Sequence, residues 1–153
     1  MPVVRNTQFN FKEGFCWNNV LNPQARLLKA KMKSASVNDV GSMSLSSMIA
    51  QLPNYYLVSV LNSELLFNYY RTFVNCSVNI QINDIRLLPV VVPSYAVLEL
   101  IKPLFLEAVS IKAEEAKRHA NIEEVSSRLK EIESAINGIV NTLYGLADIE
   151  IIN

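Results

Sequence analysis

From Ile122 to Leu143 the apolar residues Ile122, Val125, Leu129, Ile132, Ile136, Ile139 and Leu143 fall at intervals of 3-4-3-4-3-4. Three consecutive heptads place these side chains on one face of a helix and leave Glu, Lys, Arg, Ser and Asn on the others. No strand has that period, so the spacing predicts one long helix of about 35 Å. Asn121 stands at its N-cap position with Glu124 at the third helical position, an Asn variant of the capping box. Gly145 follows the last apolar position and ends it. Upstream, Ser94 can cap a second helix in which Val97, Ile101, Leu104, Ala108 and Ile111 keep a 4-3-4-3 rhythm, with Pro103 a kink or a break. The break at His119-Ala120-Asn121 folds the two helices into an antiparallel hairpin, so residues 94–153 form a helical unit with a C-terminal tail.

Residues 1–93 have another character. Val3-Val4, Phe15-Cys16-Trp17, Arg26 to Lys31 and Val37 to Leu45 read as short strands separated by Asn, Pro, Gly and Ser. Leu27 to Lys33 partly alternates, which puts apolar residues inward and lysines outward. Leu45 to Phe73 reads mostly as helix, with a firm segment from Asn54 to Tyr70. Val78, Ile80 and Ile82 alternate with Asn79, Gln81 and Asn83, the pattern of a half-buried strand. Leu87 to Val92 is apolar, rich in valine and closed by Pro93, and reads as a buried strand. The predicted fold class is α+β: a small mixed or mostly antiparallel sheet with a packed helix, followed by the hairpin. No internal repeat or low-complexity segment is visible.

Net charge is zero over 153 residues, but it is not evenly spread. Residues 1–92 hold eight bases and four acids, and residues 93–153 hold six bases and ten acids. The first part is the one suited to meet phosphate. Cys16 and Cys76 have no metal-ligand spacing and read as two buried free thiols. The first twenty residues lack the apolar segment of a signal peptide, and charged residues and Pro103 interrupt the greasy stretch from Val97 to Ile111. A soluble cytoplasmic protein is expected.

Catalytic constellations are missing from the sequence. Its one histidine, His119, falls at the predicted helix turn, and its four glycines form no phosphate-binding loop. Glu114-Glu115 and Glu123-Glu124 read as solvated helix faces, and Trp17 reads as core.

The order of three segments is more specific. Leu61-Asn62-Ser63 in a helix is followed by Asn75-x-x-x-Asn79-x-Gln81-Ile82-Asn83-Asp84-Ile85, then by Leu88-Pro89-Val90-Val91-Val92-Pro93. This order resembles the target-recognition region of bacterial adenine-specific DNA methyltransferases of type II and type IIG restriction–modification systems. More distantly, it is similar to the type I specificity subunits. Phe11-Lys12-Glu13-Gly14-Phe15-Cys16-Trp17 resembles the family's opening F-x-K-x-G-I-x-W. Val37 to Leu45 is similar to its glycine-serine strand, and Ile139 to Glu150 to its I-V-x-x-L-Y-G-L-x-x-x-E tail.

The resemblance spans nearly the whole chain and implies reading of double-stranded DNA. It implies no methyl transfer by this chain: the family's Gly-rich cofactor motif and Asn-Pro-Pro-Tyr/Phe motif do not occur, and Asn22-Pro23-Gln24 does not match. The chain is then expected to be the C-terminal piece of a larger enzyme, as a cloned domain or a gene fragment. S-adenosylmethionine is expected in the missing catalytic part, together with any nuclease.

Lys and Arg anchor on phosphates, whereas Asn and Gln pair with base edges. Phosphate contacts are therefore assigned to Arg26, Lys29, Lys31 and Lys33, with a solvated face as the alternative. Base readout is assigned to Asn79, Gln81 and Asn83, with a solvent-facing strand edge as the alternative. Ser42, Ser44, Arg71 and Asn75 complete the candidate set. The hairpin is either a spacer packed on the recognition part or a homodimer surface. The runner-up for the whole chain is a protein-interaction module with no DNA contact.

Overall fold

The computed structural model describes residues 10–37, 41–116 and 122–146. Three strands, β1 (Gly14–Asn18), β2 (Lys31–Lys33) and β3 (Ser42–Leu45), form one sheet in the order β2-β1-β3. Both pairings are antiparallel, so the sheet is not mixed. Phe15 faces Met32 on one side and Leu45 on the other, and Trp17 faces Met43. Opposed residues share a face, so Phe15 and Trp17 carry the core face, and Trp17 is 1% exposed. Cys16 lies on the reverse face in a row with Lys31 and Ser44. Gly14 is required because a Cβ there would collide with the Leu45 carbonyl.

Helix α1 (Asn54–Leu61) packs on the sheet and on the hairpin, and α2 (Glu64–Tyr69) packs on α1 and on the hairpin. Asn62-Ser63 breaks the single helix expected over Asn54 to Tyr70: the Ser63 hydroxyl accepts from Leu66 N–H and starts α2. A π-type turn, Tyr70–Val74, closes this segment. Arg26 to Ala30 is irregular, and strand structure begins only at Lys31.

Two expected strands do not form. Residues 75–81 are a loop with a single bridge between Asn79 and Val20, and Ile82–Arg86 is a short helix, α3. Alternation over six residues was outweighed by side chains that bond their own backbone. Asn75 Oδ1 accepts from Ser77 N–H at 2.8 Å, and the Asp84 carboxylate caps the start of α3. Leu87 to Val92 belongs to no sheet. Prolines at 89 and 93 remove ladder donors, and two tyrosines supply its partners instead. Tyr56 Oη donates to the Val91 carbonyl at 2.6 Å. Tyr144 Oη donates to the Pro89 carbonyl and accepts from Val91 N–H.

The hairpin consists of α4 (Tyr95–Ala116) and α5 (Ile122–Leu143). The Ser94 hydroxyl accepts from Val97 N–H at the start of α4, which runs through Pro103 without ending. At the end of α5, Gly145 N–H donates to the Thr142 carbonyl and Leu146 N–H to the Asn141 carbonyl. With Gly145 at φ 73°, this is a Schellman closure. Asn121, His119 and Val3-Val4 lie outside the described residues. Ile101 and Val140 are fully buried in the cluster that holds Phe15, Trp17, Tyr56 and Tyr70, so residues from both sides of Pro93 share one core. Among the described residues no helix is long and apolar enough to cross a membrane.

Candidate nucleic-acid interface

The four basic candidates separate into two kinds. Arg26, Lys29 and Lys31 are exposed. Lys33 is 7% exposed, and its Nζ donates to the carbonyls of Lys12 at 2.9 Å, Ser34 at 3.2 Å and Ser36 at 2.6 Å. The assignment of Lys33 to phosphate is therefore overturned: its ammonium donors are occupied inside the protein, pinning two segments of chain beside β2. The sequence carried no sign of this, because the three acceptors are backbone atoms.

Lys31 is held from below. Its neighbour Ala30 donates its N–H to Asn62 Oδ1 at 2.8 Å and accepts from Asn62 Nδ2 at 2.8 Å. The Asn of the Leu61-Asn62-Ser63 string thus acts as a one-residue strand partner. Lys29 adopts φ 54°, which turns the chain into that pairing.

The amide candidates sit at the other edge of the sheet. Asn19 N–H donates to the Gly41 carbonyl at 3.1 Å, and its own carbonyl accepts from Ile80 N–H at 2.9 Å. Residues 78–80 thus meet the chain just after β1, around the single antiparallel bridge between Val20 and Asn79. Leu21 N–H adds a bond to the Val78 carbonyl at 2.7 Å. Ile80 is fully buried and Ile85 6% exposed, while Asn79, Gln81 and Asn83 are exposed. The three amides do not lie on one strand face, as expected from alternation. They span a pinned loop and the first turn of α3. Ser42 and Ser44, both half-buried, line the same edge on β3.

Asn75 is half-buried and bonds within its own loop. Its Nδ2 donates to the Asn79 carbonyl at 2.9 Å and to Asp84 Oδ2 at 2.8 Å, and its Oδ1 accepts from Ser77 N–H. Arg71 Nη1 donates to the Ser77 carbonyl at 2.7 Å, so this residue too supports the loop. Behind it, burial first and the Asp84 carboxylate second push the Tyr70 phenol up to about 12, against a lowering influence of Arg71. The Tyr70 hydroxyl and Trp17 Nε1 are buried with no hydrogen-bond partner among the described residues. Cys76, expected to be buried, is exposed in this loop, while Cys16 is buried.

Two exposed patches result: Arg26, Lys29 and Lys31 beside β2, and Asn79, Gln81 and Asn83 beyond β3. The two edge strands are two inter-strand spacings apart, roughly 10 Å. Among the described residues no group of three His, Cys, Asp or Glu side chains could hold a metal ion. A groove of about 830 Å3 opens between β2, α1 and the hairpin, with Met32, Val58, Phe105, Val109, Leu129 and Ile136 in its wall and Lys31 among its lining residues. Comparison with protein-family models, with curated proteins and with solved structures gives no match.

Proposed function

We propose that this chain recognises a specific sequence in double-stranded DNA and positions a methyltransferase or nuclease supplied elsewhere, as the target-recognition region of restriction–modification enzymes does. The observation that carries this reading is the amide loop. Asn79, Gln81 and Asn83 are exposed on a segment whose backbone is tied down on both sides. A rigid display of amides fits base-edge readout, where one bidentate pair discriminates by about 1–3 kcal/mol. Arg26, Lys29 and Lys31 supply phosphate anchoring, which orients without reading sequence. S-adenosylmethionine and adenine flipping belong to a catalytic part outside this chain.

The test is selection of bound duplexes from a random-sequence pool at low and moderate salt. Salt-sensitive binding with an enriched short motif is the expected result. Salt-sensitive binding without enrichment reduces the role of the chain to a basic surface.

The apolar groove favours a second reading, a protein-interaction module. Val125, Leu129 and Ile136, all heptad positions of α5, line the groove and remain half-exposed. Neutralising Arg26, Lys29 and Lys31 together separates the readings. DNA binding collapses under the first, and association through the hairpin is untouched under the second.

A further inference from the structure

We propose that Asp84 is the positioning residue of the amide loop, an inference that rests on the DNA-recognition reading above. One carboxylate oxygen, Oδ2, accepts from Asn75 Nδ2 at 2.8 Å and from Gln81 N–H at 2.8 Å. These two bonds reach residues on opposite sides of Asn79. Asn75 carries the tie onward by donating its second amide hydrogen to the Asn79 carbonyl at 2.9 Å. Asp84 thus holds the backbone of Asn79 through Asn75 and the backbone of Gln81 directly, while both side chains stay exposed. Asn83 precedes Asp84 in the same short helix, so its placement depends on the same cap.

The other ties on the loop are neutral or come from outside it: Ser77 Oγ accepts from Asn79 N–H and donates to the Asn79 carbonyl, both at 3.3 Å, and Ile80 N–H donates to the Asn19 carbonyl. The loop's apolar anchors, Ile80 and Ile85, fix where it sits on the body. They do not fix the direction in which Asn79 and Gln81 point. A charge-assisted acceptor shared by two donors does that, because such bonds are shorter and stronger than neutral ones. Precise aim matters for an amide reading a base, where two parallel hydrogen bonds must form at once. Phosphate anchoring tolerates looser geometry. Asp84 is therefore expected to govern sequence preference and leave general affinity alone.

The experiment is the random-duplex selection repeated with Asp84→Ala, Asp84→Asn and Asn75→Ala, each first checked for folding by thermal unfolding. Asparagine keeps an oxygen able to accept both bonds and serves as the rescuing variant. In wild type a motif is enriched. In Asp84→Ala the preference for that motif over random duplex falls by about tenfold or more, the loss of one bidentate contact, with the salt dependence of binding unchanged. Asp84→Asn, whose neutral oxygen makes weaker bonds, restores part of the preference. Should Asp84→Ala not fold, Asn75→Ala is read in its place and shows the same loss.

A wild-type chain that enriches no motif overturns the recognition reading itself. A wild-type motif retained undiminished in Asp84→Ala, or in Asn75→Ala where that variant is read, overturns the role of Asp84 and leaves recognition standing. A fall in affinity for all duplexes alike, with preference intact, also overturns it.

Discussion

Asn62 and Ala30 form a closed pair in which the side-chain amide of one satisfies both backbone groups of the other, each bond 2.8 Å long. The pair joins the C-terminal end of α1 to the chain entering β2. Ala30 is 7% exposed, so its N–H and carbonyl have little access to water. Replacing Asn62 by Ala strands two such groups, which costs about 2–4 kcal/mol. Urea unfolding of Asn62→Ala should show a lower midpoint with an unchanged slope. Asn62→Asp should be at least as damaging, since a carboxylate cannot donate to the Ala30 carbonyl. An unchanged midpoint in both would mean that the pair does not hold β2 in place.

Lys31 and Lys33 stand two residues apart and should behave oppositely in DNA binding. Lys31→Gln removes an exposed charge and is expected to lower the slope of log affinity against log salt by about 1. Lys33→Gln should leave that slope as it is and lower the melting temperature, because three carbonyls lose their donor. Anisotropy titrations of a labelled duplex at several salt concentrations distinguish them. Equal slope changes would contradict the buried position of Lys33.

Alkaline pH should loosen the contact between the hairpin and the sheet half. Burial raises the phenols of Tyr56, Tyr70 and Tyr144 above the ordinary value of 10.0, Tyr70 to about 12. A group whose pKa is raised by folding stabilises fully below its unfolded pKa, and that contribution is lost as the pH climbs through the folded one. Stability should therefore be flat near neutrality and fall between about pH 10 and pH 12. Chemical denaturation followed across that range, with tyrosinate absorbance recorded alongside, checks this. Tyr144→Phe should show a smaller fall, since it removes one of the phenols at the Pro89–Val91 segment.

Two glycines of the last helix region should respond in opposite directions. Gly138 lies inside α5 with no atom within 4 Å of an added Cβ, so Gly138→Ala should stabilise by about 1 kcal/mol. Gly145 sits at φ 73°, where a Cβ is strained, so Gly145→Ala should destabilise by about 1 kcal/mol. Thermal unfolding of the two single variants gives both signs.

Much of this architecture was legible from local pattern. The heptad stripe led to α5, Gly145 to its end and Ser94 to the start of α4, because each depends on side chains within a turn or two. The Phe15-Cys16-Trp17 strand was legible for the same reason, and of the strand expected over Val37 to Leu45 the part Ser42–Leu45 forms. The amide loop was not. Its alternating isoleucines and amides suited a strand, but Asn75, Ser77 and Asp84 satisfy much of the backbone locally and leave only a single bridge, Asn79 with Val20, in place of a ladder. Asp84 itself carried a faint signal as an acid three residues after Gln81, the spacing of a helix cap.

The sequence by itself determined the element types where hydrophobic period and capping agree: the helical hairpin, two of the strands and a basic part distinct from an acidic one. Only the tertiary structure decided which polar residues face solvent. Lys33 went inside because carbonyls of Lys12, Ser34 and Ser36 converge on it. Asn62 went to Ala30, 32 positions away in the chain. Leu87 to Val92 found tyrosine hydroxyls from Tyr56 and Tyr144 in place of a neighbouring strand. Each outcome depends on at least one backbone group from a distant segment, and a backbone acceptor leaves no mark on the amino-acid sequence that could announce where it will be.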